Sequence, residues 1–176
     1  MITWKKHFVY LADYQHWAND VLFASLDYVD DAARQSPQGL FFDSAHNTVD
    51  HILAVNRLWL SRLQGQPVAV DFKKAQYPDW RELKNALRHE VRDMQHWLEA
   101  QPDAFFEGEI SYSSSNGALK ANWVRDILTH MMSHMVHHRG QVSAVATRLG
   151  APVPEMDFIY YKRETERHLE EFKKNA

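Results

Sequence analysis

Apolar residues recur at helical spacing in four long stretches of this chain, which restricts it to an all-α architecture. At about 100° per residue, positions three and four apart share one face of a helix. Residues 4 to 28 place Phe8, Leu11, Ala18, Leu22 and Leu26 on such a face, then run into the polar, turn-rich DDAARQSPQG. Asp43 or Ser44 can cap a second helix reaching Leu63, with Ile52, Val55, Trp59 and Leu63 apolar, before the breaker GQP. Asp79 followed by Glu82 has the form of a capping box, and Leu83, Leu87, Val91, Met94 and Leu98 carry a third helix to Gln101-Pro102.

The stretch EISYSSSNGALKAN alternates around Ile110 and Tyr112 and contains Asn116-Gly117, which predicts a short β-hairpin. Asn122 is then expected to cap a fourth long helix that stops at Gly150, with Pro152 and Pro154 beyond. A shorter helix is expected over residues 157–173. Four long amphipathic helices with longer connections predict a four-helix bundle, an architecture that builds ligand sites from side chains on facing helices. No break in composition divides the chain, so residues 1–176 are expected to form a single domain.

Composition narrows the chemistry. A formal charge of −3 leaves no basic surplus for nucleic acid or acidic membranes. With no cysteine, disulfides, thiolate ligands and a protein thiol nucleophile are excluded, and histidine and carboxylate chemistry remains. No window approaches 18 uninterrupted apolar residues, and the start MITWKKHFVYLADY lacks the apolar run of a signal peptide, so a cytoplasmic protein is expected.

Histidine is concentrated in one place. HMMSHMVHHRGQ, residues 130–141, holds four of the 11 histidines of the chain. On a helix, His130, His134, His137, His138 and Gln141 fall within about 100° of arc. The apolar positions Val124, Ile127, Met131, Val142, Val145 and Leu149 centre nearest His138, with His134 at the flank and His130 and His137 at the rim. His134 and His138 stand one turn apart and can converge on one ion. His51, at the edge of the apolar face of the second helix, is the natural third ligand. Three neutral imidazoles leave open positions on a divalent ion, the arrangement of a catalytic metal site. The competing reading is that these are core or surface histidines with local hydrogen bonds. His7 reads as a satisfied polar group on an inward face, and His46, His89, His96 and His168 as surface. Trp17, Trp59, Trp97 and Trp123 read as core packing, Arg139 as a salt-bridge or surface residue, and Asp50 as a surface residue or outer support for His51.

YQHWAND (14–20), TVDHILAVNRLWLSRLQG (48–65), HMMSHMVHHRGQV (130–142) and the tail PVPEMDFIYYKRE (152–164) resemble, in that order, the motifs of the DinB/YfiT-like metalloenzyme family, over nearly the whole chain. The resemblance selects His51, His134 and His138 as metal ligands and leaves out His137. It implies an up-down-down-up four-helix bundle, one divalent ion, most often nickel or zinc, and a homodimer. Characterised relatives include thiol-dependent transferases and a thiol-dependent isomerase, so the activity it implies is transfer of a low-molecular-weight thiol to a small electrophilic substrate. Metal-dependent hydrolysis and non-catalytic binding of a metal or small molecule are the alternatives.

Overall fold

The computed structural model describes residues 2–72, 74–114 and 116–175, with side chains through His168. The long helices are α1 (Trp4–Leu26), α3 (Ala45–Leu63), α4 (Trp80–Ala100) and α5 (Val124–Arg148), with α6 (Phe158–Asn175) closing the chain. A hairpin of β1 (Glu109–Ser113) and β2 (Leu119–Trp123) precedes α5, in the antiparallel register Glu109↔Trp123 to Ser113↔Leu119. None of the described helices is long and apolar enough to cross a membrane.

Contacts along the helices fix their directions. Lys5 near the start of α1 donates to the Gln101 carbonyl just past α4, while Lys84 near the start of α4 binds Asp27 at the end of α1, so these two run antiparallel. Facing pairs His51–His138 and Trp59–His130 make α3 and α5 antiparallel. Pairs His46–Trp80 and Arg57–Glu90 make α3 and α4 parallel, and Gln15–Met132 with Asn19–Arg139 do the same for α1 and α5. The bundle is therefore up-down-down-up, as expected.

Caps and core explain why these helices form where they do. Ser44 accepts from the Asn47 amide at the start of α3, and Asp79 accepts from the Glu82 amide at the start of α4. The face of α4 chosen by periodicity is fully interior, with Leu83, Leu87, Val91, Met94 and Leu98 all at 0–1% exposure. Burial of each such side chain contributes about 1.5–3 kcal/mol, and Leu87→Ala would cost about 2–5 kcal/mol.

Several expectations are corrected. Asn122 does not cap α5: it sits in β2 opposite Ile110, its side chain accepts the Tyr112 hydroxyl, and Trp123 occupies the N-cap without a side-chain hydrogen bond. The polar run after α1 contains a further short helix, α2 (Asp31–Gln35), because Asp30 caps it by accepting from the Ala33 amide. Trp123 is 44% exposed under the Arg125 guanidinium and is no core residue. His7 is exposed, beside Trp4. His46 is buried at 2%, since its Nε2 donates to the Tyr77 carbonyl at 2.7 Å.

Candidate metal centre

The α3–α5 seam brings together the three histidines selected by phase. His51 Nε2 is 3.2 Å from His134 Nε2, which is 3.1 Å from His138 Nε2, and one ligand atom from each lies within 4.8 Å of the others. The i, i+4 spacing sets the two α5 rings edge-to-face with centroids 4.4 Å apart, and the antiparallel crossing of α3 inserts His51 against both. His130 and His137 stay on the exposed rim, outside this group.

Proton counting makes the cluster unusual. His138 Nδ1 lies 2.8 Å from Gln141 Oε1, an acceptor, so the His138 proton is on Nδ1 and its Nε2 carries a lone pair. A hydrogen on His134 Nε2 can then serve only one of its two neighbours. Burial, reinforced by neighbouring imidazoles, lowers His51 to about 4 and His134 to about 3. Burial also lowers His138, against the Gln141 hydrogen bond. All three are neutral at pH 7, and with His138 Nε2 bare one hydrogen satisfies only one of the two nitrogen–nitrogen contacts. Two nitrogens at about 2.0–2.1 Å from a common ion, subtending roughly 90–110°, lie about 2.9–3.4 Å apart. The observed 3.1 and 3.2 Å separations fit that span, and three imidazoles suit a divalent first-row metal ion.

Side chains outside the triad hold it in place. Phe42 stacks on the His51 ring with centroids 3.7 Å apart and planes at 21°. A cavity of about 300 Å³ opens beside His51, with Phe41, Phe42, Asn47, Asp50 and Phe72 among its walls. The far wall belongs to the connection between α3 and α4, which three α3 residues pin at its C-terminal end. Asp50 accepts the Gln76 and Tyr77 amides, His46 donates to the Tyr77 carbonyl, and Arg57 donates to the Tyr77 hydroxyl. Asp50, buried at 5%, thus supports the cavity wall.

Arg139 is the sharpest correction at this site. It is 2% exposed, with its Nη1 donating to Gln15 Oε1 and Asn19 Oδ1 on α1 at 2.6 and 3.0 Å. Its guanidinium also lies over the Tyr14 ring. Gln15 and Asn19 of YQHWAND therefore interlock with Arg139 of HRGQ on the side of α5 away from the imidazoles. Sequence reasoning missed this clasp and the Phe42 stack. Three-residue spacing from His138 was the available signal for Gln141, whereas Phe42 lies in a loop with no periodicity to read.

Residues 1–171 match the family model described as the DinB family. The uncharacterized protein YizA of Bacillus subtilis (strain 168) is 31% identical over 115 residues, a span covering 64% of this chain and 69% of YizA.

Proposed function

Because the chain belongs to the DinB family, we propose that His51, His134 and His138 hold one divalent metal ion, zinc or nickel, and that the protein transfers an external low-molecular-weight thiol to a small electrophile. The observation that carries this reading is the convergence of three neutral imidazole nitrogens beside a cavity of about 300 Å³. When bound, the ion would lower the pKa of a coordinated thiol so that thiolate forms at neutral pH. The triad supplies only neutral ligands, and among the described residues it includes no fourth protein group, which leaves room for an exogenous one. The chain has no cysteine, so the thiol comes from outside. In the transfer, the new bond joins sulfur to the electrophilic carbon, the leaving group departs with its electron pair, and the thiol proton passes to solvent. The aromatic wall formed by Phe41, Phe42 and Phe72 shelters the carbon skeleton of either partner.

Hydrolysis is the weaker reading on one observation. Asp50, the carboxylate next to His51 in sequence, already accepts two backbone amides and is held away from general-base duty. A reducing cytoplasmic setting and a homodimer complete the proposal.

The test is metal analysis of tag-free protein, followed by a screen of small thiols against chromogenic electrophiles. Turnover should require metal and thiol together, and should disappear with chelation or in His138→Ala. Equal turnover without thiol would favour hydrolysis, and protein that binds no divalent ion would overturn both enzymatic readings.

A further inference from the structure

Gln141 follows His138 by three residues on α5 and is half-buried. Its amide bridges two imidazoles. Oε1 lies 2.8 Å from His138 Nδ1, and Nε2 lies 3.2 Å from His137 Nε2. An amide oxygen has no hydrogen to give, so the first contact requires a hydrogen on His138 Nδ1. The amide nitrogen has two, so the second contact makes His137 Nε2 the acceptor. Reversing the amide would set its N–H groups against His138 Nδ1 and force the His138 proton onto Nε2, the atom that faces His134 at 3.1 Å.

We infer that Gln141 is a positioning residue: it fixes the tautomer and ring orientation of His138 so that a bare Nε2 faces the centre of the cluster, while His137 sets which end of the amide does so. The purpose of this arrangement rests on the metal reading above, but the hydrogen-bond geometry is set by the protein's own side chains. It also gives His137 a role at the rim that requires no bond to an ion. The contrast with His51 isolates the device, because His51 Nδ1 is buried with no hydrogen-bond partner among the described residues. Its ring is held by the face of Phe42 instead, at 3.7 Å. A stacked phenyl fixes a ring plane but cannot choose between nitrogens, whereas an amide oxygen can.

Long-range proton–nitrogen correlation of the histidine rings in nitrogen-labelled, metal-free protein reads the tautomer directly. Wild type should carry its His138 hydrogen on Nδ1 alone. Gln141→Leu and Gln141→Met, which keep bulk and lose the acceptor, should show both tautomers, while Gln141→Glu should restore Nδ1–H. Zinc affinity should fall about 10–100-fold in Gln141→Leu and recover in Gln141→Glu. In His137→Phe it should fall by a smaller factor. Thermal melts of each variant identify any that fail to fold, and two acceptor-free substitutions guard against losing one. A single Nδ1–H tautomer and wild-type zinc affinity in both would overturn the inference. Wild-type protein that binds no zinc, with the tautomer change intact, would overturn the metal reading and leave the positioning role supported.

Discussion

Two polar clusters flank α5 one residue apart, and they are built on opposite principles. On the α3 side, His51, His134 and His138 aim nitrogen at nitrogen over 3.1–3.2 Å. On the α1 side, Arg139 aims Nη1 at the amide oxygens of Gln15 and Asn19 over 2.6 and 3.0 Å. The second cluster pairs donors with acceptors and needs nothing from outside to hold α1 on α5. The first leaves one of its two nitrogen–nitrogen contacts without a hydrogen inside a folded protein, where an unmatched polar group costs free energy. A cation held by all three nitrogens would resolve that conflict. Neighbouring residues of one helix thus divide into a group that fastens the bundle and a group that could hold a metal ion.

The largest expected effect separates the two. His51→Ala, His134→Ala and His138→Ala should each lose metal affinity well beyond the roughly 10–100-fold typical of outer supporting groups. His130→Ala should bind as wild type does. Calorimetric titration with zinc and nickel checks this, and undiminished binding in His138→Ala would dissolve the contrast. Metal-free stability should stay level or rise in His134→Leu, since an apolar side chain removes a frustrated nitrogen from the seam.

Arg139→Met should do the reverse. It strips donors from Gln15 and Asn19, which are 1% and 2% exposed. Two interior oxygens left bare cost about 2–4 kcal/mol in total, taking the lower part of the range of about 1–3 kcal/mol for each group. Denaturant melts should show that loss. The triple variant Arg139→Met, Gln15→Met, Asn19→Leu should recover part of it, because replacing every member of a buried polar group is milder than removing one. A single variant as stable as wild type would mean that the clasp does not fasten α1.

Much of this division was legible in the sequence, and what was not has identifiable causes. Helical phase placed His134 and His138 on one seam and His51 opposite, because a ligand stripe and a core stripe obey the same period. Asp43 or Ser44 was readable as the cap of α3, and Ser44 makes the bond, while Asp79 was readable as the cap of α4, since each stands at the start of a helically spaced apolar stretch. Phase also set Arg139 away from the histidines, but it could not tell a solvent-facing side from the α1 interface, which depends on which helices become neighbours. His46 was misjudged for a related reason, its partner being a backbone carbonyl 31 residues away. Asn122 had the composition of a cap, yet a cross-strand hydroxyl claimed it first.

Acid should probe the imidazole side alone. His51 and His134 titrate near 4 and 3 when folded, against about 6.5 for an unperturbed histidine. Between those values the unfolded chain binds more protons, so stability rises with pH there and is lost as pH falls from about 6.5. The metal-free melting temperature should decline over that window more steeply in wild type than in His134→Leu. Identical slopes would remove the cluster as the source. Bound metal should deepen the decline, since protons compete with it for the same nitrogens.

The smallest effect concerns Gly140, the residue after the clasp. It sits inside a helix of 25 residues, where glycine costs about 0.5–1 kcal/mol relative to alanine. A Cβ added there meets nothing within 4 Å, and the backbone is helical, so neither strain nor crowding within the chain calls for glycine. Gly140→Ala should therefore stabilise the isolated bundle by about that amount, visible as a small rise in the denaturant midpoint with no change in zinc affinity. The nearby surface includes Val136, 45% exposed one turn earlier on the same helix. If the proposed homodimer uses this face, the open space is where the second copy approaches, and Gly140→Ala would weaken association while stabilising the monomer. Light scattering across a dilution series, read beside the melt, distinguishes the cases. A gain in stability with unchanged mass puts the dimer contact elsewhere. A loss of stability in a variant that stays monomeric throughout would show that the helix around the clasp is tighter than its open flank implies.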